Sequence, residues 1–270
     1  MSSPVTSNRR GLIRCFCELA SRRVSYRRRL PRAFGGRLVF VSPECGLRFW
    51  RIDLGKTDPL LFRMAAELVQ PGDVVWDIGA NLGLFAFAAA ARAGSQGRVF
   101  AAEPDTWLVS LLHRSAREPS RAAAPVEILP LALSDSIGLA RFHIATRARA
   151  ASFLDGAGTD AAGGVRETQT VMSTTLDWLC QHIPAPNVLK IDVEGAELQV
   201  LRGAEKLLTT ARPKLLCEVS RNAEQVSALL RRLGYELYDA TTEFPGRQPT
   251  PVATWDTLAL PSHVGTPSII

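Results

Sequence analysis

Two carboxylates and a glycine-rich turn stand where chains of alternating strands and helices place their small-molecule chemistry. The run Asp77-Ile78-Gly79-Ala80-Asn81-Leu82-Gly83 puts an acid at the end of a short apolar segment and two glycines at the entry to the next helix. Gly79 permits a tight turn and close approach of a ligand, and Gly83 lets the helix begin near the sheet. A dinucleotide site would want Gly-x-Gly-x-x-Gly. Here the residue two after Gly79 is Asn81 and the residue three after that is Leu84, so a pyrophosphate cradle is disfavoured. Asp77 at the mouth of the strand would repel a phosphate and suit an ammonium or a sulfonium. Glu103 follows 26 residues later, one strand–helix–strand unit on, where a carboxylate can accept both hydroxyls of a ribose. Together the two acids describe an adenosine carrying a cationic amino-acid tail. The plainer reading makes each acid a cap for the turn that follows it, and their joint placement favours the ligand.

An alternating frame has to position these residues. Val74 to Ile78, Arg98 to Ala102, Val126 to Leu131, Val188 to Ile191 and Lys214 to Val219 read as short buried strands. Helices fall between them at 82–93, from Asp105 to about Arg117, near Ala196 and near Asn222. This rhythm predicts parallel strands joined by right-handed crossovers in one doubly wound sheet. Tyr235 to Asp239 and Thr254 to Leu260 complete it, the latter antiparallel. Leu139 to Ala145 alternates like an extra strand, and Asp155 to Gly164 reads as a flexible Gly/Ala loop. Nearer the N-terminus, residues 38 to 52 alternate around Ser42-Pro43-Glu44-Cys45-Gly46 and read as a β-hairpin. Leu12, Ile13, Phe16, Leu19 and Ala20 share one face of a short basic amphipathic helix. The expected organisation is a basic arm at 1–37, the hairpin at 38–56, the main domain at 57–262 and a tail at 263–270.

The chain of 270 residues has 46% apolar and 21% charged residues, an ordinary globular balance that excludes a disordered or coiled-coil protein. Its net charge of +6 is unevenly spread: residues 1–37 hold ten arginines and one acid, so the body is acidic by three charges. The body is therefore not built as a nucleic-acid surface, while the arm suits either the face of its own domain or an anionic membrane. The five cysteines form no C-x-x-C pair and read as reduced thiols of a cytoplasmic protein. The longest apolar run, Leu84 to Ala91, is too short to cross a bilayer.

The stretches Val74 to Gly83, Ala102-Glu103-Pro104-Asp105, Ala132-Leu133-Ser134-Asp135, Thr174-Thr175-Leu176-Asp177 and Lys190-Ile191-Asp192-Val193-Glu194-Gly195-Ala196-Glu197, with Leu201-Arg202-Gly203-Ala204, resemble the FkbM family of S-adenosylmethionine-dependent methyltransferases. The run from 190 to 204 is the specific part; the glycine turn alone marks a Rossmann-like methyltransferase. The resemblance covers residues 57 to 240 and implies a class I methyltransferase sheet of seven strands. It also implies O-methylation of a sugar, glycolipid or secondary metabolite, with S-adenosylhomocysteine as product.

Carried onto this chain, the resemblance assigns Asp77, Gly79, Asn81 and Gly83 to the methionine end of the cofactor and Glu103 to the ribose. It places Ser134 and Asp135 near the adenine amino group. Asp192 ends the fourth strand beside the first, so its carboxylate is expected near the transferred methyl, as a base or as the group that orients the acceptor hydroxyl, with Glu194 shaping the same loop. Glu197 reads as first-turn electrostatics. His143 is a second candidate base, although an exposed strand histidine is the commoner fate. Glu218 beside Asp192 could complete a pair for a divalent cation, but two ligands do not make a site, and no metal is expected. Two rivals remain: an NAD or nucleotide-sugar oxidoreductase, against which the glycine pattern argues, and a non-catalytic module that kept the cofactor fold.

Overall fold

The structure is a computed structural model that describes residues 17–120, 122–158 and 160–262. It begins with an antiparallel ribbon of β1 (Tyr26–Arg29) and β2 (Leu38–Val41). Helix α1 (Pro59–Leu68) follows, with Asp58 accepting from Leu61 N and proline at the first helical position, a combination that fixes a helix start. Then come β3 (Val74–Ile78), α2 (Leu84–Ala93), β4 (Arg98–Ala102), α3 (Thr106–Ala116) and β5 (Val126–Leu129). An insertion contributes β6 (Ala132–Leu133), β7 (Gly138–Ala145), β8 (Phe153–Leu154) and β9 (Val165–Thr174). The chain returns through α4 (Leu176–Leu179), β10 (Val188–Ile191), α5 (Glu197–Arg202), α6 (Glu205–Thr210), β11 (Lys214–Glu218), α7 (Ala223–Arg232), β12 (Tyr235–Asp239) and β13 (Asp256–Pro261).

Seven strands form one sheet in the order β12-β13-β11-β10-β3-β4-β5. β3, β4, β5, β10 and β11 are parallel, and β13 runs antiparallel to both β11 and β12. The strand order reverses between β3 and β4 on one side and β10 on the other. This is the switch point at which open parallel sheets bind ligands. Both faces are covered, which explains why the central strands are apolar on both faces, apart from Asp77 in β3 and Lys190 in β10, rather than alternating. Val75, Val99, Ala101 and Val188 join a core with α1, α2 and α3, whereas Trp76, Ile78, Phe100, Leu189 and Ile191 join a second core with α4, α5, α6 and α7. The insertion forms its own sheet in the order β6-β9-β7-β8.

Three expectations change. The hairpin expected over 38–52 is replaced by pairing of β2 with β1, while Leu47–Trp50 forms a 3-10 turn. Pro43 opens a turn capped by Ser42, and Gly46 at φ +136° redirects the chain, so no second strand can run back along β2. The basic segment up to Arg37 consequently supplies a strand and core residues such as Leu30 and Phe34, and Arg37 donates to the carbonyls of Ser115 (2.8 Å) and Ala116 (2.7 Å) at the end of α3. The third sheet strand stops at Leu129, two residues early. β9, ten residues long, has no counterpart in the sequence reading because its polar run shows no steady alternation. The amphipathic stripe at 12–20 falls mostly outside the described residues.

Several residues of the 174–204 motifs hold the frame. Thr175 caps α4 by accepting from Trp178 N (3.1 Å), and the Asp177 carboxylate accepts from Lys206 N (3.1 Å) and Leu207 N (2.7 Å) at the start of α6. Gly203 packs against the chain leaving β6: a Cβ there would lie 2.2 Å from Ser134 O. We therefore expect Gly203→Ala to destabilise the protein by about 1–3 kcal/mol, since an added methyl in a closed contact forces the backbone apart. Urea unfolding of the variant checks this, and an unchanged midpoint would contradict the contact.

Candidate functional site

At the carboxyl ends of β3, β4 and β10 two cavities meet. The first lies between Gly79, Asn81, Glu103 and the insertion residues Leu131 to Leu133, Phe142, Arg149, Ala150 and Ser152. The second is a larger cleft, bounded by Arg48, Asp58, Lys190, Glu218, Trp255 and Asp256. Asn81, Ala150, Asp192 and Glu194 line both, so a group passed from one cavity to the other must pass these four.

The turn after β3 is built by its conformations. Gly79 (φ +75°), Asn81 (φ +53°) and Gly83 (φ +78°) all sit in left-handed backbone. Gly79 also touches the end of β10, where a Cβ would stand 1.8 Å from the Asp192 carbonyl oxygen. Any other residue there would push the two strand ends apart. Asn81 donates its backbone N–H to Glu103 Oε2 (2.8 Å), and Asp105 N donates to Glu103 Oε1 (2.9 Å). The Glu103 carboxylate is thereby aimed into the first cavity with lone pairs to spare. Burial raises its pKa to about 8. The side-chain oxygen of Asn81 is buried and has no hydrogen-bond partner, an acceptor placed where the two cavities join. A buried acceptor without a donor asks for a ligand that supplies one.

Beneath this turn lies a charge cluster that the sequence reading did not anticipate. Lys190, 4% exposed, sits opposite Asp77 in the β3–β10 register. Its ammonium reaches Asp77 Oδ1 (3.1 Å), Asp192 Oδ2 (3.4 Å) and the Gly79 carbonyl (3.0 Å). Burial opposes the Lys190 charge, but Asp77 and Asp192 outweigh it and raise its pKa. Burial likewise pushes Asp77 up, and the Lys190 ammonium pulls it back. Asp77 also accepts from Ala86 N (3.0 Å) and is fully buried. Its charge is met from within the protein rather than offered to a ligand, which corrects its assignment to the methionine end. The signal was present in the alignment of two apolar strand cores each interrupted by one charge.

At the end of β10, Asp192 and Glu194 face both cavities. Glu194 holds φ +52°, and Glu197 folds back to accept from Gly195 N (2.8 Å) and Ser220 Oγ (3.2 Å), shaping the loop between them. Burial, together with Asp192 and Glu197, raises Glu194 to about 8, and burial with Asp192 and Glu194 pushes Glu218 up as well. Oxygens of Asp192, Glu194 and Glu218 lie within 4.8 Å of one another.

Two sets of sequence candidates fall away from the cavities. β5 ends early and the chain turns into β6, so Leu131, Ala132 and Leu133 line the first cavity, while Ser134 and Asp135 lie beyond it, Asp135 exposed. His143 alternates with Phe142 along β7. Phe142 points into the first cavity, whereas His143 bonds Thr168 Oγ1 (2.9 Å) and Asp155 Oδ1 (3.2 Å) on the other side. Sequence reasoning also missed Arg149, which lines the first cavity, pairs with Asp105, donates from Nε to Glu44 Oε1 (2.8 Å) and lies over the Trp107 ring (4.8 Å).

Comparison with known proteins places this geometry. The model of a family described as the methyltransferase FkbM domain matches residues 77–237. The hexuronic acid methyltransferase AglP of Haloferax volcanii is 31% identical over 182 residues, 65% of this chain and 66% of that protein, so the match spans just under two thirds of the relative. Among solved structures, a methyltransferase FkbM from Methylobacillus flagellatus aligns with TM-score 0.44 and 14% identity over 74% of this chain and 50% of that one. An O-methyltransferase from Thermotoga maritima aligns with TM-score 0.38 and 14% identity over 76% and 66%.

The Lys190 cluster makes a direct prediction. Lys190→Met leaves Asp77 buried and unpaired and is expected to cost about 3–5 kcal/mol. Adding Asp77→Asn should recover part of that loss in urea unfolding. Equal stability of Lys190→Met and the wild type would show that the pair is not a buried ion pair.

Proposed function

The chain belongs to the FkbM methyltransferase family, and from that premise we propose that it transfers a methyl group from S-adenosylmethionine to a hydroxyl of a sugar, glycolipid or secondary-metabolite acceptor. The observation that carries the proposal is the junction of the two cavities at Asn81, Ala150, Asp192 and Glu194. The first cavity suits the cofactor. Glu103 accepts from the ribose hydroxyls, and Asn81 Oδ1 accepts from the ammonium of the amino-acid tail. Leu108, Leu131, Leu133 and Phe142 supply an apolar slot for the adenine. Bound there, the cofactor supplies a sulfonium methyl, an electrophile that needs alignment more than activation.

The larger cleft receives the acceptor. Asp192, its own position fixed by Lys190, accepts from a hydroxyl beside the reacting one and so orients the acceptor. Glu194, at the same junction and with a raised pKa, takes the proton as the oxygen becomes the nucleophile. The name of the Haloferax volcanii relative supports a sugar acceptor. A membrane-held acceptor fits the basic N-terminal segment, of which residues 17–37 are described. No divalent cation is part of the proposal.

Calorimetric titration with S-adenosylmethionine tests the first half. We expect Glu103→Ala to weaken binding about 10- to 100-fold, the loss of the hydrogen bonds its buried carboxyl would make to the ribose. Unchanged affinity would remove the ribose assignment. With labelled methyl donor and a panel of hydroxylated acceptors, Asp192→Ala should abolish transfer while cofactor affinity stays within about tenfold. Glu194 works only as the carboxylate, so kcat/KM should rise with pH through about 8, and Glu194→Gln should lower it about 10²- to 10⁴-fold. A pH-independent rate would return the proton acceptor role to Asp192.

A further inference from the structure

The N-terminal ribbon carries a surface that the methyl-transfer reading does not use. Trp50 is 50% exposed and Ile52 is 83% exposed, two large apolar residues set two apart in the chain. They are joined to a basic patch. The Tyr26 and Trp50 rings lie 5.8 Å apart, the Arg28 guanidinium lies 4.0 Å over Tyr26, and Arg28 Nε approaches the Arg51 carbonyl at 3.5 Å. Arg51 in turn donates to the Lys56 carbonyl (2.8 Å). The nearby acids are engaged elsewhere: Asp53 accepts from Gly55 N (2.9 Å), and Asp58 pairs with Arg48 (3.3 Å). Arg28, Arg51 and Lys56 have no acidic partner among the described residues. Across residues 17–56 ten basic side chains face three acids.

We propose that this surface docks on an anionic lipid bilayer, with Trp50 and Ile52 in the interface and Arg28, Arg51 and Lys56 against the headgroups. Tryptophan is favoured at the headgroup level, where its ring is half apolar and half wet. Each arginine or lysine near an anionic surface adds an attraction that salt screens. Apolar insertion and charge together are what reversible binding to such a surface requires. The placement gives the docking a use. Arg48 and Phe49, immediately before Trp50, line the larger cleft, so the docked face borders the cleft mouth and selects acceptors carried in membrane lipid. This last step rests on the cleft being the acceptor site; the docking itself does not.

Sedimentation with vesicles tests it, using the full chain without acceptor or cofactor. Vesicles of phosphatidylcholine containing phosphatidylglycerol should bind the protein, those of phosphatidylcholine alone should not, and high salt should release it. Arg28→Ser and Arg51→Ser should each weaken binding about fivefold, and Trp50→Ser with Ile52→Ser should weaken it at least as much, with melting temperature followed to exclude unfolding. Brominated lipid should quench a fluorescence component that Trp50→Phe removes. Binding that survives these substitutions would overturn the proposal. So would a Trp50 component already shielded from acrylamide without vesicles, since residues 1–16 or a second copy would then cover the patch. Methyl transfer to a soluble acceptor is measured separately, so failure of docking and failure of the catalytic reading are distinguishable.

Discussion

One buried ammonium fixes the site. Lys190 lies in the middle of the sheet with β3 on one side, and its three contacts are to Asp77, Asp192 and the Gly79 carbonyl. A lysine in a closed apolar layer costs several kcal/mol unless its charge is met at close range. The arrangement that meets it also sets the geometry above it. Asp77 reaches from Lys190 to the first turn of α2 through Ala86 N. Gly79 is held against the end of β10. Asp192 is brought down from the cleft toward the sheet. The turn after β3 and the Asp192 carboxylate, to which the proposed function gives cofactor and acceptor, are thus tied to the same ion, which keeps the two cavities in fixed relation.

The insertion closes the site from the other side. Its sheet packs on itself through Phe142, Ile144 and Val171, and the segment 149–152 lies over the first cavity. Arg149 anchors that segment. It bonds Asp105, whose backbone N–H already positions Glu103, and it shares Glu44 with Arg166. Glu44 also accepts from Arg23 N (2.6 Å). The Glu103 carboxyl, the covering segment and the N-terminal ribbon therefore meet in one buried polar network, with Arg149 as the member that bridges Asp105 and Glu44.

The sequence revealed the sheet because strand ends and helix starts carry strong local signals. Short apolar runs, Asp105 and the glycines marked elements to within a few residues, the acid closing the second strand marked Glu103, and the resemblance marked Asp192 and Glu194; all three line the first cavity. It was less informative where a side chain's direction depends on a distant partner. Residues 139–145 read correctly as a strand, but which of Phe142 and His143 faces inward is set by β9, which has almost no apolar pattern of its own. Ser134 and Asp135 lie outside the two cavities because the chain leaves the sheet after Leu129, and Ser134 is then held by the Thr174 carbonyl, 40 residues further along, and packed against Gly203, 69 residues further along. Asp77 looked like a ligand group because a buried lysine opposite it is rare and no local pattern announces one.

The same buried charge explains how a carboxylate can serve as a base at the cleft. Asp192, Glu194 and Glu218 crowd one end of the sheet, with Asp58 and Asp256 across the opening. Like charges so placed disfavour full ionisation, and burial adds to the effect. A single lysine cannot neutralise them all. It is spent on Asp77 and Asp192, leaving Glu194 with a proton affinity far above that of a free carboxylate. Were Lys190 exposed in the cleft it would quench the whole cluster and leave ordinary, weakly basic acids. Held under the turn instead, it steadies Asp192 and leaves Glu194 with its raised pKa, the division of labour on which the proposed transfer to a hydroxyl relies.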